Sequence, residues 1–156
     1  MSVELQNKVY DSIDVARYLL ALANEKKKIL NVTKVQKLLF IAYGYFLSKY
    51  GVRIIDETPK AWPFGPVFPE TQKKVDYTTI YGVNSPVFDE LKRDQDVTEI
   101  LNTIIDNYSN FSASQLSDWS HMEGSPWEKT TKESGFNWNE EINEEYIKGY
   151  FCDITL

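Results

Sequence analysis

Residues 32–51 read VTKVQKLLFIAYGYFLSKYG. Apolar side chains recur at helical spacing through Val35, Leu38, Leu39, Ala42, Tyr43, Phe46, Leu47 and Tyr50. Phe40, Ile41 and Tyr45 fill other faces of the same helix. A helix that is apolar nearly all round is buried, so this stretch predicts a central helix on which the rest packs. Thr33 and Gln36 have capping-box spacing, and Gly51 supplies a stop. Gly44 costs about 1 kcal/mol relative to alanine inside a helix. Its presence predicts close approach of another element. Lys34 and Lys37 interrupt the apolar surface and predict an exposed strip.

Working outward, Ser12 to about Lys27 reads as an amphipathic helix capped by Ser12, with Ile13, Ala16, Leu19, Leu20 and Ala23 inward. On the other side, residues 52–64 contain Ile54, Ile55 and Trp62 about Glu57–Lys60, which predicts two short strands joined by a turn. The segment AWPFGPVFPE, 61–70, follows. Three prolines forbid a helix interior or a central strand there, yet three aromatics make it too apolar for a solvated loop. Pro69 belongs in the first turn of a short helix. Trp62 and Phe64 alternate, so on a strand one would plug the core and the other face outward.

Residues 77–90 read as a loop with at most short extended pieces. A helix beginning near Asp94 or Asp96 carries Val97, Ile100, Leu101, Ile104, Ile105 and Tyr108 on one face. Another opens at Ser112 with Gln115 three residues on. Ser125-Pro126-Trp127-Glu128 starts a third, and Asn139–Phe151 reads as the last. The expectation is a single, mainly α domain over residues 1–156, with a minor β component: one short hairpin beside a buried central helix.

The charge is −6 overall but unevenly spread. Residues 1–78 carry 12 Lys+Arg against 8 Asp+Glu, whereas residues 79–156 carry 5 against 15. This balance makes nucleic-acid binding a poor reading, since phosphate contacts need clustered cations, and Lys26–Lys28 is the only dense basic run. The polarity would steer a charged protein partner. No apolar run is long enough to span a membrane, and the first residues carry no apolar leader core. The expected location is the cytoplasm. Lone Cys152 excludes an internal disulfide and reads as a small buried hydrophobe.

Phosphate-loop, dinucleotide, nucleophile-elbow and zinc-protease motifs are all missing. No metal or cofactor set is expected. His121, in DWSHMEGSPWEK, reads as a helix-end histidine in a structural hydrogen bond. A hydrolase would have to be built on it with Asp118, Ser120 or Glu123, and no spacing here specifies a reaction. A regulator binding DNA through Lys26–Lys28 and the central helix is a further alternative, weakened by that helix's apolar character.

The central helix followed by AWPFGPVFPE resembles the Panacea antitoxin domain, found in phage- and mobile-element-associated, GepA-like proteins. Lys37, Leu38, Leu39, Phe40 and Ala42 match its helical element; Ala61, Trp62, Gly65, Pro66, Val67 and Pro69 match its second. Leu116, Ser117, His121, Glu123, Pro126 and Trp127 resemble a third. Phe40 stands where the family more often has tyrosine. The resemblance implies an antitoxin that binds and neutralises a protein toxin encoded by an adjacent gene. In one branch the antitoxin acts as an adaptor delivering its toxin to a AAA+ protease. On this reading Lys34, Lys37, Trp62, Phe64, Gly65, Pro66, His121 and Trp127 are the candidate partner-binding residues.

Overall fold

Burial explains the architecture better than any local propensity does. The computed structural model describes residues 8–156. Its centre is α2 (Val32–Tyr50), whose residues from Val35 to Phe46 are buried except Tyr45. Around it pack α1 (Ser12–Glu25), α5 (Gln95–Tyr108), α6 (Ala113–Ser120) and α8 (Glu144–Phe151). Shorter pieces complete the shell: α3 (Pro69–Lys74), α4 (Asp89–Arg93) and α7 (Pro126–Thr131). The sheet is a two-stranded antiparallel hairpin, β1 (Lys60–Trp62) with β2 (Gly65–Val67), in register Lys60↔Val67 and Trp62↔Gly65. The mainly α expectation holds.

The helix stops follow from local chemistry. Gly51 takes φ 67° and closes α2 with bonds back to Phe46 and Leu47. Ser112 and Gln115 cap α6 reciprocally, and Ser125 caps α7 with Pro126 at its first position. Gly44 has the neighbour its cost predicted: any Cβ there would overlap the Phe151 ring. The missing side chain lets α8 lie directly on α2, where Phe151 meets Phe40 edge-on at 5.7 Å.

Several expectations are corrected. Asp11, not Ser12, caps α1; Ser12 is buried and its hydroxyl donates to Glu57. Asn31, not Thr33, caps α2. Gln36 is then free to bond both ends of the Phe68 peptide unit in the core, Phe68 N donating to its Oε1 at 2.7 Å. The hairpin lies later than expected, with its turn at Pro63-Phe64, because Ile54 and Ile55 pair instead with Tyr10. Residues 77–90 include a 3-10 turn, Pro86–Phe88, with Phe88 fully buried against Tyr18. The last helix begins at Glu144 rather than Asn139, which takes φ 79° in the preceding turn. Cys152 is exposed, because Phe151 takes the core position and ends the helix.

Glu57, read as a turn residue, does more than turn the chain. Its carboxylate accepts from Glu70 N, Thr71 N and the Thr71 hydroxyl at 2.6–3.2 Å. It thereby caps α3, whose own N-cap, Phe68, has no side chain to do so. Part of the uneven charge is spent in ion pairs across the fold. Lys8–Glu90, Lys26–Asp106, Arg53–Glu144 and Lys60–Glu141 each join a cation of the first half to an anion of the second.

Candidate functional site

The hairpin turn reverses the chain in two residues, Pro63 and Phe64, before Gly65 at φ 114°. Carbonyls in and beside such a turn take donors from outside the hairpin. Four lie within hydrogen-bond distance of side chains from three helices. Trp127 Nε1 on α7 donates to the Trp62 carbonyl at 2.7 Å. His121, at the C-terminus of α6, places Nε2 2.9 Å from the Pro63 carbonyl. Ser117 Oγ on α6 donates to the Phe64 carbonyl at 3.0 Å. Lys37 Nζ on α2 donates to the Pro66 carbonyl at 3.2 Å. From the other side, Trp62 Nε1 donates to Asn139 Oδ1 at 2.9 Å.

Glycine is required at position 65. Besides its positive φ, a Cβ there would come within 2.6 Å of Ser120 Oγ and 3.1 Å of the Lys37 Nζ and Cε. The backbone thus lies directly on the Lys37 ammonium. Lys37 is 1% exposed, which corrects the expectation of an exposed strip. Burial pulls its ammonium down to about 8 from the usual lysine value, since removal from water disfavours the charged form. Lys34 stands apart, its ammonium donating to the Ser109 carbonyl at 2.8 Å.

The fixed turn leaves Phe64 75% exposed at its tip. Trp62 is half-buried rather than a core plug; Ala61, Phe68 and Val67 do the plugging. Between the hairpin and the first turn of α2 runs a groove of about 160 Å³, lined by Val32, Thr33, Gln36, Trp62, Phe64 and Val67 among others. Beyond the turn the rings continue. His121 and Trp127 lie 4.0 Å apart, Trp127 and Trp138 6.2 Å, and Trp138 and Phe136 5.1 Å. Trp138 and Met122 are exposed. Sequence reasoning passed over Asn139, Trp138 and Met122. The signal was FNWN at 136–139, where aromatics alternate with asparagine in a segment too polar to be core.

The arrangement offers little to acid–base chemistry. Both ring nitrogens of His121 face carbonyl oxygens, Nδ1 lying 2.6 Å from Ser117 O, and a neutral ring donates to only one of them. Among the described residues no group of three His, Cys, Asp or Glu side chains could hold a metal ion. No helix among them is long and apolar enough to cross a membrane.

Residues 35–128, from the first turn of α2 to Glu128 in α7, match the family model described as antitoxin SocA-like, Panacea domain. The matched span contains the hairpin and every side chain that donates to its turn. The chain belongs to that family. It is also 31% identical over 114 residues to a curated protein, Antitoxin SocA of Caulobacter vibrioides (strain NA1000 / CB15N). The aligned region is 66% of this chain and 61% of that relative, so the chain spans about three fifths of the relative's length. No solved structure matches.

Proposed function

We propose that this protein is the antitoxin of a toxin–antitoxin pair. In this reading it neutralises a protein toxin, encoded by an adjacent gene, through direct contact at the hairpin corner. The observation that carries the reading is the Phe64 tip. An apolar side chain stands 75% exposed on a turn whose carbonyls at 62, 63, 64 and 66 are all held by distant side chains. A pre-ordered apolar tip binds without having to order itself first, which preserves affinity. Membership of an antitoxin family supports the same reading. Delivery of the captured toxin to a AAA+ protease is the adaptor form of it, acting in the cytoplasm.

The hydrolase reading finds less support, because the His121 ring nitrogens are both occupied by main-chain carbonyls. A DNA-binding reading is weakened in turn, since Lys26 pairs with Asp106 and Lys28 donates to Asn110. The test is co-expression with the neighbouring open reading frame. That product alone should arrest growth, this protein should restore it, and the two should co-purify. A toxic neighbour that this protein neither binds nor counteracts overturns the reading.

A further inference from the structure

We infer that the aromatic ledge beside the hairpin is the docking surface for an arginine-bearing, basic segment of the protein partner. This deepens the reading above and rests on it. The ledge runs from His121 over Trp127 to Trp138 and Phe136, with successive centroids 4.0, 6.2 and 5.1 Å apart. Trp138 is 53% exposed and Met122 59% exposed, in a protein whose other tryptophans are at least half-buried. Exposed tryptophan of this kind is over-represented where binding energy concentrates.

Charge decides which partner suits it. Residues 117–145, which build the ledge, hold eight Asp+Glu and only two basic residues, Lys129 and Lys132. Both cations are already engaged: Lys129 lies over the Tyr146 ring and Lys132 pairs with Glu128. Glu141, Glu144 and Glu145 pair with Lys60, Arg53 and Lys148. Asp118, Glu123, Glu133 and Glu140 have no cation within ion-pair distance among the described residues. Each lies within three residues of a ledge side chain. The ledge is therefore an aromatic surface with four carboxylates close by in the chain that no cation pairs, although Glu140 accepts from Asn137 and Glu133 from Asn143. Arginine fits both parts. Its planar guanidinium stacks on an indole face and forks onto a carboxylate, which the compact lysine ammonium does less well.

The experiment follows the four tryptophan indole N–H resonances of the purified protein by NMR, as oligo-arginine, oligo-lysine or oligo-glutamate peptides are added. Oligo-arginine should move Trp138 and Trp127 saturably, more than oligo-lysine, and the effect should fade at high salt. Trp138→Ala should weaken that binding roughly five-fold. Trp138→Leu, which keeps apolar area without a π face, should weaken it as much. Full binding by Trp138→Leu overturns the inference, as do equal shifts with oligo-glutamate, no shifts, or shifts confined to Trp62 and Trp119. A second arm uses the neighbouring gene product. Should that protein bind with an association rate that ignores salt and ignores Glu123→Gln with Glu140→Gln, this inference fails while the antitoxin reading stands. Should it not bind at all, the antitoxin reading fails, and the peptide arm still decides the ledge.

Discussion

Two connections in this molecule each hold a bulky apolar side chain out in solvent, and they are held in opposite ways. Phe64 stands 75% exposed on the hairpin turn, and Ile80 stands 78% exposed in the loop before the 3-10 turn. The hairpin turn is pinned by Lys37, Ser117, His121, Trp127 and Asn139, which lie 29 to 77 residues away along the chain. Gln36 Nε2 donates to the Tyr77 hydroxyl at 3.4 Å, and Tyr77, Tyr81 and Val83 pack on the core, but the hydrogen bonds nearest Ile80 itself are local. Thr78 and Thr79 donate to the Asp76 carboxylate, and the Tyr81 hydroxyl donates to the Asp76 carbonyl five residues away. Those hydroxyls hold the Asp76 carboxyl down at about 2. Tertiary pinning fixes a tip in the frame of the whole protein; local bonding fixes it only against its own loop.

The largest expected effect breaks the loop and spares the turn. Phe88 anchors the far end of the Ile80 loop, fully buried with its ring 5.3 Å from that of Tyr18. Phe88→Ala should lower the unfolding free energy by about 3–5 kcal/mol in urea titration. Trp127 and Trp62 indole resonances should keep their positions under native conditions, because no donor to the hairpin turn depends on Phe88. Shifts there would show that the two regions are not independent.

Next come the two glycines. Gly65→Ala must adopt φ 114° and push against Ser120 Oγ and the Lys37 ammonium, so it should cost about 3 kcal/mol. Gly82 has open space around it and no positive φ, so Gly82→Ala should leave stability within about 1 kcal/mol, with the sign towards stabilisation. Equal effects at the two positions would erase the distinction between pinned and local.

The pinning has a pH signature. Lys37 binds its proton at about 8 when folded and near the ordinary lysine value when unfolded. The unfolded chain then holds more protons between those values, so stability from this group rises with pH across that window. Below about 8 the full cost of burying the ammonium is present. The unfolding free energy should rise by about 2 kcal/mol from pH 7 to pH 10. Higher still, Tyr43, which burial pushes up to about 12, reverses the trend. In Lys37→Met the rise should vanish. A wild-type profile flat from pH 7 to pH 10 would mean that the ammonium under Gly65 is solvated.

How much of this was legible without coordinates follows the same division. Elements set by local chemistry read correctly: Gly51 at the end of α2, the Ser112–Gln115 box, Ser125-Pro126, and Pro69 at the start of α3. Gly44 also read correctly, because a glycine inside an apolar helix has few other uses. Two helix starts failed on local chemistry, since Asp11 and Asn31 are the caps of α1 and α2, and the other failures were set by distant partners. Ile54 and Ile55 look like hairpin residues, but Tyr10 recruits them. Ser12 looks like a cap, but Glu57 takes its hydroxyl. Lys37 looks like a surface residue by its charge, and the Pro66 carbonyl gives its buried ammonium a partner. Of the candidate site, Trp62, Phe64, Gly65, Pro66, His121 and Trp127 converge on one corner, while Lys34 bonds elsewhere and Trp138 carried no motif.

The smallest expected effect on stability is the sharpest for function. Phe64→Ser and Ile80→Ser each remove an exposed apolar side chain, so each should change the unfolding free energy by no more than about 0.5 kcal/mol. If the pinned tip is the docking element, Phe64→Ser alone should weaken partner binding, by on the order of 2 kcal/mol for a central anchor. Growth rescue should fall with it. Ile80→Ser should rescue as well as the parent protein, because the hydrogen bonds nearest that tip are local and leave it more of its own freedom to lose on binding. Comparable losses in both variants would extend the interface across α2 to both faces. Loss in Ile80→Ser alone would move the docking face to the loop and leave the pinned corner a purely structural brace.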